Sequence, residues 1–128
     1  MANRYGEAAL MAVRQSTAEA DPAARWESAM EALYPTSPAA RKKSAPRAAF
    51  LGLCEEGLVK GIPAGAYKAP RLDKAYAVRA VSLLTQATER LSIGALWRAV
   101  TGNVDKEHNS QMDVVLALWN NDFILGKD

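Results

Sequence analysis

Apolar residues that recur three and four positions apart constrain this chain more than any other feature of its sequence. Such spacing places the apolar side chains on one face of a helix, whereas a half-buried strand would alternate every second residue. Alanine, a strong helix former, is also abundant. The sequence therefore predicts an all-α fold: a single compact domain over residues 1–128, with five or six helices and a loose C-terminal tail from about residue 124.

Small polar residues and prolines mark where the predicted helices begin. Asp21-Pro22 pairs a capping carboxylate with a proline whose fixed φ suits the first helical position. Ser110, with Asp113 three residues later, is similar to a capping box, although aspartate replaces the usual glutamate. A further helix is expected over about 73–89. The six expected capping residues are Asn3, Asp21, Ser37, Ser44, Ser92 and Ser110.

The predicted core draws aromatic and aliphatic side chains from most of these helices. Each member falls on the apolar stripe of its own helix, which must be buried against another element. The expected core residues are Trp26, Met30, Phe50, Leu53, Tyr76, Leu84, Leu96, Trp97, Val115 and Trp119.

The segment 57–70 interrupts the helical pattern. Three glycines spaced four residues apart, with a proline between the last two, favour turns and caps over a continuous helix. We predict a structured connection here, and a short β-hairpin is the one exception that the pattern allows. A backbone site for an anion is the alternative reading. The candidate structural or ligand-loop residues are Gly57, Gly61, Pro63, Gly65 and Tyr67.

Several classes of protein are disfavoured by composition. The sequence has no run of roughly 18 apolar residues of the kind that crosses a membrane, and no secretory signal pattern. Its one cysteine, Cys54, has no internal disulfide partner, which favours a reducing cytoplasm. We expect no membrane association.

Residues that could carry chemistry are few. Nucleotide-binding glycine motifs are missing, and one histidine with one cysteine is too little for a typical zinc site. Cys54 lies among leucines and is expected in the core, while Glu55 and Glu56 are expected on a solvated face. No cofactor, metal or catalytic residue is predicted. An enzyme is disfavoured, although a pocket near Tyr67 and His108 stays open as an alternative.

Charge is unevenly distributed along the chain. Residues 41–79 carry nine basic and three acidic side chains, a net charge of +6, while each flanking segment carries −2. Such a segment could attract an anionic partner such as nucleic acid, or its cations could simply solvate loops. The fragment 50–59 also looks loosely like a winged-helix recognition helix entering its wing. The candidate nucleic-acid or anion-binding residues are Arg41, Lys42, Lys43, Arg47, Lys60, Lys68, Arg71 and Lys74.

The string from Ala48 to Tyr67, AAFLGLCEEGLVKGIPAGAY, resembles the central signature of a small family of uncharacterised bacterial proteins, a domain of unknown function. The opening Tyr5–Ala9 and the segment Lys74–Ala77 are similar to it as well. The resemblance spans roughly residues 3 to 120. It implies a compact, mostly helical bacterial domain and supplies no activity or catalytic residue.

Three functions follow as hypotheses, in descending order. The first is a non-enzymatic protein-interaction module of bacterial or phage-derived origin, which requires an exposed apolar patch or a self-associating surface. The second is a nucleic-acid-binding protein that uses the basic segment 41–79. The third is an enzyme with an unfamiliar pocket.

Overall fold

The fold is all-α in the computed structural model, which describes residues 3–14, 21–102 and 108–125. The described residues form six helices of nine or more residues and one four-residue helix, α3, between α2 and α4. This helical content confirms the predicted fold class. No strand occurs in these three ranges. The helices are α1 (Arg4–Arg14), α2 (Pro22–Leu33), α3 (Pro38–Arg41), α4 (Ser44–Glu55), α5 (Arg71–Gln86), α6 (Ile93–Thr101) and α7 (Gln111–Asn120).

Two helices form the centre of the bundle. α4 packs against α2, α5 and α7, while α7 packs against α1, α4, α5 and α6. Every residue of α4 from Ala48 to Cys54 is buried. This burial corrects the loose likeness of 50–59 to a recognition helix, because a buried helix offers no face to nucleic acid.

The core contains eight of the ten expected residues. Trp26 stacks on Phe50 with ring centroids 5.4 Å apart, and both side chains are fully buried. Tyr76 and Trp119 are only partly buried and pack against the edge of the core. Tyr76 meets the buried Trp97 edge-on at 5.2 Å.

α4 and α5 cross closely at Gly52. A Cβ atom built on Gly52 would lie 2.7 Å from the Cα atom of Lys74, closer than real Cβ atoms come to a backbone atom. The missing side chain is therefore what lets the two helices approach each other. α5 begins at Arg71 and ends at Gln86, so the predicted limits of 73–89 are displaced by two to three residues at each end.

The start of α7 differs from the capping box that the sequence predicts. Ser110 precedes α7 with a φ of 71°, and its side chain makes no capping hydrogen bond. Instead Nε2 of His108 accepts the backbone N–H of Met112 at 3.0 Å. Ser44 was also expected to cap a helix, but it is the first residue of α4 and Lys43 occupies the cap position without a side-chain bond.

The remaining helix starts follow the sequence signals. The side chains of Asp21, Ser37 and Ser92 each accept a backbone N–H from the first turn of α2, α3 and α6. Asn3 does the same for α1 through the N–H of Gly6.

Residues 57–70 form no hairpin. Their one β-type pairing is an antiparallel bridge between Val59 and Ile124, flanked by a hydrogen bond from the N–H of Leu125 to the carbonyl of Leu58. Ile124 is fully buried. The chain is thus held in the fold through Leu125, which corrects the expected start of the loose tail, and 126–128 lie outside the described residues.

Candidate functional site

Three of the eight predicted basic site residues form hydrogen bonds or ion pairs within the fold. Arg41 donates to the carbonyl of Tyr34 at 2.7 Å and so closes the end of α2. Arg47 pairs with Glu27 at 3.1 Å. Lys74 pairs with Glu55 at 2.9 Å and with Glu56 at 3.1 Å. The other five are exposed: Lys42, Lys43, Lys60, Lys68 and Arg71.

The eight basic residues are distributed along α4. Arg41, Lys42 and Lys43 precede this helix, whereas Lys74 pairs with Glu55 near its other end. Arg47, in the first turn of α4, lines the same shallow depression as Lys68. The +6 charge of the segment is therefore spread along the helix.

In the predicted loop segment, backbone conformation and close contacts account for the glycines, and a hydrogen bond links Tyr67 to Pro63. Gly57 and Gly61 have φ values of 70° and 84°, which favour glycine. A Cβ on Gly65 would lie 2.9 Å from the ring of Tyr67. The hydroxyl of Tyr67 donates to the carbonyl of Pro63 at 2.6 Å.

Glu55 fixes this loop against the helices, a role that the sequence did not reveal. One oxygen of its carboxylate accepts the N–H groups of Tyr67 and Ala69 at 2.9 and 3.0 Å, and the other pairs with Lys74. The hydrogen bond from Ala69 and the ion pair with Lys74 hold the pKa of Glu55 below its ordinary value. The expectation that Glu55 lies on a solvated face is wrong, since its side chain is only 12% exposed.

The geometry does not assemble a catalytic site from Tyr67, His108 and Cys54. Cys54 is fully buried, and burial raises the pKa of its thiol to about 12, so the reactive thiolate is scarce at neutral pH. His108 packs against Trp97 at 5.0 Å, and burial lowers its pKa. Tyr67 lines a shallow depression of about 220 Å³ that does not include His108.

Within residues 3–14, 21–102 and 108–125, no group of three or more histidine, cysteine, aspartate or glutamate side chains is placed to hold a metal ion.

An open groove runs along α7. Its volume is about 510 Å³. α1 forms one side, through Glu7 and Leu10, and residues 91–93, which lead into α6, form the other. α7 and its C-cap residue Asn121 line the groove with residues that recur at helical spacing and so share one face: Asp113, Leu116, Ala117, Asn120 and Asn121.

The groove is apolar at its centre and acidic at one end. Leu116 and Leu91 are half-buried, and the side chain of Ile93 is 37% exposed. Glu7 and Asp113 lie in the first turns of α1 and α7. Neither carboxylate forms an ion pair with a cation in the described part of the chain.

The sequence did not single out this groove, although one signal pointed to α7. Its residues from Met112 to Leu118 are apolar except for Asp113, and a helix that is apolar almost all round must be surrounded by other elements. Four helices surround it. On the face between α1 and α6, however, the side chains are only partly covered and remain accessible to solvent.

The comparisons with known proteins give a family and nothing more specific. A family model matches residues 2–125, and its description is a family of unknown function. The comparison with curated proteins and the comparison with solved structures each found no match. Among the helices of the described ranges, none has the length and apolarity needed to cross a membrane.

Proposed function

The chain belongs to DUF6979, a family of unknown function, and we propose that it acts as a non-enzymatic protein-interaction module. The family resemblance seen in the sequence is thereby confirmed, but the family description supplies no activity. The observation that carries the proposal is the open face of α7 between α1 and α6, where apolar side chains remain accessible.

The occupant that fits this groove is a helix of a partner protein. Asp113 and Asn121 lie eight residues apart on α7, a distance of about 12 Å. Two turns of an amphipathic helix span that length, and its apolar residues would contact Leu116 and Ile93. Binding of this kind places anchors at i, i+3 and i+4 into an apolar groove.

Charge defines the partner helix further. Glu7 and Asp113 place two carboxylates at one end of the groove. A partner with lysine or arginine beside its apolar anchors would complement them, and a partner with acidic residues there would be repelled. The proposed ligand is therefore a basic amphipathic helix.

A titration with two designed peptides tests this function. One is a 14-residue helix with leucines on one face and lysines on the other, and the second replaces every lysine with glutamate. We expect the lysine peptide to bind and to shift the NMR amide signals of Leu116 and Ala117, while the glutamate peptide does not bind.

Two matched variants test whether the peptide binds in the groove. Ile93→Asn replaces an apolar contact of the groove with a polar group and adds no charge that would attract a basic helix. It should weaken binding at least tenfold. Leu125→Asn makes the same kind of change outside the groove, at a residue that is 48% exposed, and should leave binding unchanged. Absence of binding, or equal losses in the two variants, would overturn the proposal.

A further inference from the structure

A second surface lies where α1, the end of α2, α3 and the start of α4 meet. The rings of Tyr5 and Tyr34 are 5.6 Å apart. Arg4 lies over Tyr34 at 5.7 Å, and the Nζ atom of Lys43 lies over Tyr5 at 5.4 Å. With the neighbouring Lys42, these five residues form what we term the tyrosine–cation patch.

The tyrosines are held rigidly in this patch. The hydroxyl of Tyr5 donates to the carbonyl of Ala40 at 3.2 Å, and Arg41 binds the carbonyls of Tyr34 and Pro35. Arg4 also donates to the carbonyl of Leu33 at 3.0 Å. The two rings are therefore fixed in place, and one cation lies over each ring.

The positive charge of the patch is not neutralised within the described structure. Arg4, Arg41, Lys42 and Lys43 form no ion pair with a described carboxylate. Four cations thus lie close together in a chain whose net charge is only +2.

The position of the lysines is also unfavourable for the helix itself. Lys42 and Lys43 stand at the start of α4, where the helix dipole favours an anion. No side chain caps that end of α4. A bound anion would relieve the repulsion among the cations and would complete this helix start.

We propose that the tyrosine–cation patch binds single-stranded nucleic acid. Lys42, Lys43 and Arg4 contact backbone phosphates. When Lys43 and Arg4 move from the ring faces onto phosphates, the rings of Tyr5 and Tyr34 become free to stack with bases. Proteins that bind single strands combine such cations with aromatic rings. None of these residues lines the α7 groove, so this surface is separate from the one proposed for a partner helix.

Fluorescence anisotropy with a labelled 20-nucleotide single strand tests the proposal. The double variant K42E/K43E should weaken binding at least tenfold. The control K60E/K68E makes the same change in charge at two exposed lysines of the same basic segment that lie outside the patch, and should weaken binding less than threefold. In a plot of log affinity against log salt concentration, the slope for K42E/K43E should be less steep than for the natural chain. The difference should be about 0.7 for each phosphate contact that the substitutions remove.

Other results would contradict the proposal. It is overturned if the natural chain does not bind the single strand at low salt, if the two double variants weaken binding equally, or if a duplex of the same length binds more tightly than the strand. Ile93→Asn should leave this binding unchanged, so failure here is distinguishable from failure of the groove.

Discussion

Glu55 shows at the scale of one residue how a carboxylate organises an irregular segment. It accepts two backbone N–H groups from the segment 57–70 and pairs with Lys74 on α5. Hydrogen bonds to a charged group stabilise more than neutral ones do. Side-chain chemistry of this kind, and not strand pairing, holds the glycine-rich connection in place.

His108 supports a prediction of pH dependence. Its Nε2 atom accepts the N–H of Met112 only while it is unprotonated, and burial lowers its pKa in the folded chain. As pH falls below the ordinary value of 6.5, the unfolded chain takes up the proton more readily than the folded chain. The free energy of unfolding should therefore fall as the pH is lowered from about 7 toward 5.

Two variants isolate this effect, because the chain contains one histidine. His108→Ala should lower the free energy of unfolding at pH 7.5 by about 1 kcal/mol through loss of the cap. His108→Gln keeps an acceptor near the position of Nε2 and should keep most of the stability, but without the decline between pH 7 and 5. Urea unfolding measures both, and an unchanged decline in His108→Gln would rule out this role for His108.

At the scale of the element, the helix boundaries were largely predictable and their contacts were not. The pairs Asp21-Pro22 and Ser37-Pro38 mark helix starts because capping and the fixed φ of proline act locally. α7 is different, because its cap comes from His108, whose ring is held against Trp97 on another helix. A contact of that kind depends on how the helices pack, which local residue patterns do not specify.

The close crossing of α4 and α5 gives a prediction at this scale. Gly52→Ala should lower the free energy of unfolding by about 1–3 kcal/mol, because the added Cβ meets the backbone of Lys74. Gly94→Ala is the matched control on α6, where the nearest atom is the end of Arg98 at 3.8 Å. It should raise stability by up to about 1 kcal/mol. Equal effects of the two substitutions in urea unfolding would refute the close-packing account.

At the scale of the whole molecule, folding changes the meaning of the charge pattern. The sequence places a net charge of +6 in residues 41–79, but in the fold these cations are spread along α4, and Arg41, Arg47 and Lys74 form hydrogen bonds or ion pairs with neighbouring groups. Fold class, family and most helix starts could be read from the sequence. The α7 groove could not, since it arises where α1, α7 and residues 91–93 meet in space.

The α7 groove is proposed to receive a basic helix of a partner protein. A photo-crosslinking amino acid at position 93, with position 125 as the control, tests this most directly in cells that naturally express the chain. Mass spectrometry then maps the crosslinked peptides. We expect crosslinks from position 93 to a helix that carries lysine or arginine beside its apolar residues, and we expect these crosslinks to be lost when Glu7 and Asp113 are changed to lysine. Crosslinks that are the same from both positions, or that map to acidic or non-helical segments, would contradict it.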